Sequence, residues 1–278
     1  MGIPTLTLPS GEVISALGQG TRGLAGDPSR RDEEIEALRV GIDLGLTVID
    51  TADTYRDGGT EELVAEAIAD RRDSVFLISK VAASDDRNDT LAACEQSLNR
   101  LGTDRIDLYL LHWRDSGPLD ETVQAFTSLM TQGLIRHWGV SNFDLPDLVE
   151  LTSIAGGTAI ETNQVPYNLG RRGIEADLLP LCREAGVPVM AYAPFGPDGM
   201  LDHPALALVA ARHGATAAQV GLAWLLRQDM LCTIPRASTP DHVRENRAAA
   251  DLLLTDDDLL ELDLAFPPPT GPEPLRIP

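Results

Sequence analysis

Lys80 is the only lysine in a chain of 278 residues whose other basic side chains are all arginines. It closes an apolar run, Val75-Phe76-Leu77-Ile78-Ser79-Lys80. Arginine stays charged in nearly every setting and tunes a neighbour's proton affinity poorly, whereas a lysine ammonium is compact and shifts readily on burial. A sole lysine at the end of a buried strand is therefore a candidate for proton chemistry, against the plainer reading of a surviving surface lysine. Three more groups close or follow neighbouring runs: Asp50, Tyr55 in the loop after it, and His112. A phenol with a pKa of about 10 is a poor acid at neutral pH. An ammonium beside it favours the phenolate and is expected to lower that value. An aspartate beside the lysine would hold the ammonium charged and placed. A histidine near the phenol could orient a carbonyl oxygen. Together the four would form a proton donor aimed at a C=O oxygen that gains negative charge. Taken singly, Asp50 reads as a helix cap, Tyr55 as a loop residue and His112 as a core histidine; their joint placement points to chemistry.

These groups can meet only if the runs that carry them are neighbouring parallel strands. Strand-like runs lie at residues 15–18, 47–50, 75–80, 106–112, 135–141, 159–165, 188–194 and 231–235. Segments of helical period separate or follow them at 30–44, 60–71, 88–101, 120–132, 144–153, 173–185, 216–228 and 255–265. Ser141-Asn142 before an acidic turn, and Thr239-Pro240, read as helix starts. Residues 5–8 and 12–14, joined by Pro9-Ser10-Gly11, predict a small hairpin. No linker or repeat divides the chain. Strict alternation of strand and helix in about this length predicts an α/β fold, a single (β/α)8 TIM barrel over 1–278 with an N-terminal β-hairpin plugging its bottom. In such a barrel the C-terminal strand ends share one face, which is where Asp50, Lys80 and His112 fall. The Pro-rich tail from Phe266 onward is expected to lie over the surface.

Composition narrows the function classes. A formal charge of −21 repels nucleic acid and anionic membranes, so neither is expected as a partner. Acidity with scarce lysine suits a high-salt cytoplasm or a GC-rich genome, and the sequence does not separate these. Cys94, Cys182 and Cys232 are odd in number and far apart, which argues for a reducing compartment over a disulfide framework or zinc site. No apolar run approaches the length of about 18 residues of a membrane helix. The first residues lack a signal peptide's basic start and apolar stretch. The expected location is the cytoplasm. Gly18-Gln19-Gly20-Thr21-Arg22-Gly23 satisfies the dinucleotide fingerprint literally, with Asp50 at the next strand end. A Rossmann turn must open into a helix, and this one runs into Leu24-Ala25-Gly26-Asp27-Pro28, which reads as a loop.

The segments Val48-Ile49-Asp50-Thr51-Ala52-Asp53-Thr54-Tyr55, Ile78-Ser79-Lys80, Asp107-Leu108-Tyr109-Leu110-Leu111-His112-Trp113, Gly139-Val140-Ser141-Asn142-Phe143, Thr162-Asn163-Gln164-Val165, Ala191-Tyr192-Ala193-Pro194 and Ile234-Pro235-Arg236 form a specific set. With them the chain resembles the aldo-keto reductase superfamily nearly end to end, closest to small prokaryotic members of the methylglyoxal reductase type. The resemblance implies an NADPH-dependent carbonyl reductase of small ketoaldehydes, with Asp50, Tyr55, Lys80 and His112 as its catalytic tetrad and Tyr55 as the acid. It implies that Ser141, Asn142 and Gln164 hold the nicotinamide carboxamide, that Tyr192 stacks under the ring, and that Phe195 and Gly196 lie near the pyrophosphate. Glu245 and Asn246 match the family's adenine contacts.

Two departures matter. Where the family often has Lys-Ser and a later Arg for the 2′-phosphate, this chain has Arg236-Ala237-Ser238 and then His242. Arg236 can still grip a phosphate bidentately. The resemblance therefore implies NADPH preference with NADH use left open. Arg22 stands where the family commonly has Trp, replacing an aromatic wall with a positive charge that would suit polar or anionic carbonyls, unless it pairs with a nearby carboxylate. Trp113 is expected to line the pocket, against simple core packing. His137, His203 and His213 lack partners at ligand spacing and read as structural, and no metal is expected. Two rivals remain: a lysine Schiff-base aldolase, which leaves Tyr55 and His112 unexplained, and a non-catalytic cofactor-binding sensor on the same fold.

Overall fold

Eight short parallel strands run in chain order around a closed sheet: β3 (Gln19–Gly20), β4 (Val48–Asp50), β5 (Phe76–Val81), β6 (Ile106–Leu111), β7 (Ile135–Ser141), β8 (Asn163–Pro166), β9 (Val189–Tyr192) and β10 (Leu231–Thr233). Parallel bridges Leu17↔Thr233 and Gly20↔Arg236 join the last strand to the first and close the (β/α)8 barrel. The closure is tight, since a Cβ on Gly20 would stand 2.6 Å from the Ile234 carbonyl oxygen. An antiparallel hairpin, β1 (Thr5–Thr7) and β2 (Val13–Ser15), precedes the barrel. This computed structural model describes residues 2–84, 86–115, 117–196, 199–275 and 277.

The helices among the described residues are α1 (Arg31–Asp43), α2 (Gly59–Ile68), α3 (Arg87–Leu101), α4 (Leu119–Thr131), α5 (Leu145–Ser153), α6 (Leu178–Glu184), α7 (Pro204–His213), α8 (Ala217–Leu226), α9 (Pro240–Ala248) and α10 (Asp256–Ala265). Side-chain caps fix several starts. Asp144 and Asp147, Thr216 and Gln219, and Thr255 and Asp258 form reciprocal capping boxes at α5, α8 and α10. The sequence reading is corrected in several places. Ser141-Asn142, read as a helix start, closes and follows β7, and Asp144 caps α5 instead. The strand expected over 159–165 is Asn163–Pro166. The first barrel strand is Gln19–Gly20, because Ser15 is already paired in the hairpin. The helix expected over 173–185 begins at Leu178, where the Asp177 carboxylate caps it, after a separate turn at Gly173–Glu175. The helices α7 and α9 were absent from the expected series, α9 being marked only by its Thr239-Pro240 start.

Strand parity decides what faces the barrel axis, because successive side chains alternate between faces. Val48, Phe76, Ile78, Leu108, Leu110, Met190, Cys232 and Ile234 form an inner core, joined from below by Leu6, Leu8 and Ile14 of the hairpin. Ile49, Leu77, Val81, Tyr109, Leu111, Val140, Val165 and Val189 belong to the outer core under the helices. Two residues further along each inward-facing series come Asp50, Lys80, His112 and Tyr192. The same alternation that buries the inner core thus delivers polar groups to its top layer.

Candidate active site

The top layer opens into a cavity of about 460 Å³ lined by Asp50, Tyr55, His112 and Trp113 on one side and Ser141, Asn142, Gln164 and Tyr192 on another. Lys80 is fully buried at its floor. Its ammonium donates to Asp50 Oδ2 at 2.7 Å, to the Thr51 carbonyl at 2.8 Å and to the Tyr55 hydroxyl at 3.5 Å. Gln164 Nε2 donates to the other Asp50 oxygen at 2.8 Å. Asp50 is thus held between β5 and β8, and it holds Lys80 against the phenol. The His112 ring stands edge-on to Tyr55, with centroids 5.8 Å apart, and its Nδ1 lies 3.4 Å from Thr54 Oγ1.

Burial is a cost to every charge here, and the local partners decide the outcome. Burial pulls the Lys80 ammonium toward neutrality, but Asp50 and then Tyr55 more than offset it, so its pKa is raised. Burial raises the Tyr55 pKa, and the counter-pull of Lys80 does not reverse that. This corrects the expected lowering of the phenol: at rest Tyr55 keeps its proton. Burial, then the charges of Lys80 and Arg22, push His112 down to about 3, so its imidazole is neutral near pH 7.

The remaining expected residues divide. Asn142 adopts a left-handed backbone (φ 62°) at the exit of β7. Its Nδ2 donates to the His112 carbonyl at 2.9 Å, and its Oδ1 accepts from the Tyr192 hydroxyl at 2.7 Å. Ser141 Oγ donates to the Gln164 carbonyl at 2.9 Å. Tyr192, Phe195, Gly196, Arg22, Trp113 and Arg236 all line the cavity. Gly196 sits at φ 71°, where an added Cβ would collide with Met200 Sδ. Ser238, His242, Glu245 and Asn246 are not brought to the cavity; they lie on or just before α9. Ser238 accepts from Arg30 through Oγ and its carbonyl, each at 3.2 Å, and the Glu245 carboxylate accepts from Thr216 Oγ1 at 2.6 Å. Trp113 is 38% exposed, so the core-packing alternative fails, and its ring lies 4.4 Å from that of His112.

Sequence reasoning passed over Thr51 and Thr54, which engage Lys80 and His112. The only available signal was their position in the run from Asp50 to Tyr55. The three histidines read as structural have partners: His137 with Glu12 at 2.8 Å, His213 with Asp258 at 2.7 Å, and His203 capping α7. The described residues contain no cluster suited to a metal ion. They also contain no helix long and apolar enough to cross a membrane.

An eight-stranded parallel barrel with a buried Lys–Asp pair against a cavity-facing Tyr and a neutral His defines a class of carbonyl oxidoreductase. The chain belongs to the aldo/keto reductase family, whose model matches residues 16–265. Methylglyoxal reductase YeaE of Escherichia coli strain K12 is 47% identical over 269 residues, covering 94% of this chain and 95% of that protein. An aldo/keto reductase from Klebsiella pneumoniae, crystallised with NADP and acetate, is 44% identical, with a TM-score of 0.97 over 99% of this chain and 100% of its own. A crystal structure of an aldo-keto reductase from the same organism with NADPH is 44% identical and superposes with a TM-score of 0.96, covering 100% of both chains.

Proposed function

We propose that the protein reduces small aldehydes and ketones to alcohols with NADPH, ketoaldehydes such as methylglyoxal among them, and that Tyr55 is the proton donor. The observation that carries this reading is the contact of a buried, Asp50-paired Lys80 with the hydroxyl of a cavity-facing Tyr55. The donor set fits a nicotinamide cofactor. Ser141, Asn142 and Gln164 would hold its carboxamide, Tyr192 would support the ring, Gly196 would let a phosphate approach the backbone, and Arg236 would pair with a 2′-phosphate. Glu245 and Asn246, with Ser238 and His242 beside them, would take the adenosine end. When bound there, a nicotinamide cofactor would supply the hydride chemistry of the reduction.

The chain's own residues do the rest. His112, neutral, orients the carbonyl oxygen. As charge builds on that oxygen, Tyr55 releases its proton to it. The Lys80 ammonium then stabilises the phenolate left behind, and Asp50 keeps Lys80 charged and in place. Three buried, unbridged cysteines support a reducing, cytoplasmic setting.

The test is NADPH consumption against a panel of aldehydes, ketones and ketoaldehydes, repeated with NADH. Turnover of methylglyoxal faster with NADPH is the expected result. Binding of NADPH with no turnover of any carbonyl would favour the sensor reading. Borohydride trapping of substrate on Lys80 would favour the aldolase.

A further inference from the structure

Arg22 is an unusual cation for this chain. Acidic residues outnumber basic ones 43 to 22. Many of the chain's other arginines are engaged: Arg30 with Glu33 at 3.1 Å, Arg100 with Glu61 at 2.6 Å, Arg172 with Glu175 at 2.8 Å. Arg22 is exposed and makes no hydrogen bond or ion pair among the described residues, yet it lines the same cavity as Tyr55, His112 and Trp113. Among the described lining residues no free carboxylate stands ready to quench it. Asp50, the acidic side chain of that lining, is already taken by Lys80 and Gln164. The backbone beneath Arg22 is fixed, since the preceding Thr21 donates to the Asp50 carbonyl through its N–H at 3.0 Å and its hydroxyl at 2.9 Å. The charge of Arg22 is also felt at Tyr55, His112 and Tyr192, so its guanidinium lies within reach of the reacting end of the cavity.

We propose that Arg22 is a carboxylate subsite at the cavity mouth, so that the enzyme prefers carbonyl substrates carrying a carboxylate a few carbons from the reacting C=O over neutral counterparts of equal length. The proposal rests on the reductase reading above and adds a substrate class to it. A guanidinium presents paired N–H donors that match a carboxylate's two oxygens. With Arg236 assigned to the cofactor's phosphate, Arg22 is the cation left for the substrate. In the reaction the carbonyl carbon gains the hydride and its oxygen gains the Tyr55 proton. The products are a hydroxy acid and NADP⁺, and the carboxylate bonds neither form nor break.

The test compares 4-oxobutanoate with butanal on the full-length enzyme, reading the ratio of their kcat/KM values in the parent, Arg22→Gln, Arg22→Glu and Arg22→Lys. Loss of a charge-assisted pair should lower that ratio about ten- to hundredfold in Arg22→Gln. Arg22→Glu should lower it further, and Arg22→Lys should restore part of it. Added salt should erode the parent's preference more than that of Arg22→Gln. Measuring the NADPH dissociation constant of each variant checks folding and separates the rival role. A ratio that moves by less than about twofold overturns the subsite, given the tenfold or greater change expected of a charge-assisted pair. So does an equal fall for both substrates with weaker NADPH binding, which would assign Arg22 to the cofactor. If the parent reduces butanal but the ratio does not respond, only the subsite fails. If the parent reduces no carbonyl at all, the reductase reading fails and the subsite with it.

Discussion

At the scale of single residues, the phenol is the group whose chemistry can be isolated most cleanly. Removing the Tyr55 hydroxyl leaves the Lys80–Asp50 pair, the barrel and Tyr192 in place. General acid catalysis contributes roughly 100- to 10,000-fold. Tyr55→Phe is therefore expected to lower kcat by at least about two decades, while NADPH binding, followed by fluorescence titration, holds. Near-parent reduction of methylglyoxal by that variant would mean that another group donates the proton. Lys80→Met should fall comparably, for a different reason: the proton can still leave, but the phenolate is stranded without its counter-charge beside a buried Asp50. The pH profile separates the acid from its neighbour. Because the Tyr55 pKa is raised, the donor stays protonated through neutrality. Because His112 is held down at about 3, no protonation limb should fall near an ordinary histidine's value of about 6.5. The kcat/KM for reduction should therefore be level across neutral pH and decline only on the alkaline side, as Tyr55 loses its proton. An acidic limb near pH 6 would show that His112 titrates in the free enzyme.

At the scale of elements, much of the barrel was legible because its strands are short, apolar and capped by recognisable helix starts. The inward-facing series ending in Asp50, Lys80 and His112 follows from a period of two once the strands are placed. What escaped did so for physical reasons. In α7, Pro-Ala-Leu-Ala-Leu-Val-Ala-Ala-Arg-His offers little contrast between its faces, so its helical period is faint. In α9 only Val243 and Asn246 are buried, and the sole strong signal is the cap at Thr239, whose side chain accepts from the His242 N–H. The pairing of Gln164 with Asp50 joins residues 114 positions apart, which local patterns cannot reveal. The net pKa of Tyr55 was misread because pair chemistry was weighed without burial, which only the packed fold supplies. The loop into α9 also carries a prediction of its own. Arg236 projects from it as an exposed cation at the cavity wall, just before a helix N-terminus whose amides favour an anion. Arg236→Ala should raise the NADPH dissociation constant about tenfold or more, the loss expected of a charge-assisted hydrogen bond. The constant for NADH, which lacks the 2′-phosphate, should barely move. Equal losses for both would remove Arg236 from the phosphate site.

At the scale of the whole molecule, the sheet separates two hydrophobic cores, and the inner one is open at the bottom unless something closes it. The hairpin does so from two sides. Leu6, Leu8 and Ile14 enter the inner core beneath Val48, Phe76 and Leu108. Around them a polar rim ties the hairpin to the barrel. Glu12 accepts from Arg136 at 2.9 Å and pairs with His137 at 2.8 Å, and the Ser10 N–H donates to Glu161 at 3.0 Å. The strand Val13–Ser15 supplies its own control, because adjacent residues face opposite ways. Ile14 is 4% exposed, whereas Val13 is 61% exposed. Truncating a buried Ile to Ala costs about 2–5 kcal/mol, through lost transfer energy and the cavity left behind. A change on the solvent face usually stays within about 0.5 kcal/mol. Ile14→Ala should therefore lower the urea midpoint clearly, and Val13→Ala should leave it nearly where it was. The loss at Ile14 should sit near the low end of that range only if the hairpin can settle inward to fill the space, and the rim bonds from Glu12 and Ser10 oppose that settling. Equal midpoints for the two variants would mean that the hairpin lies against the barrel without closing it.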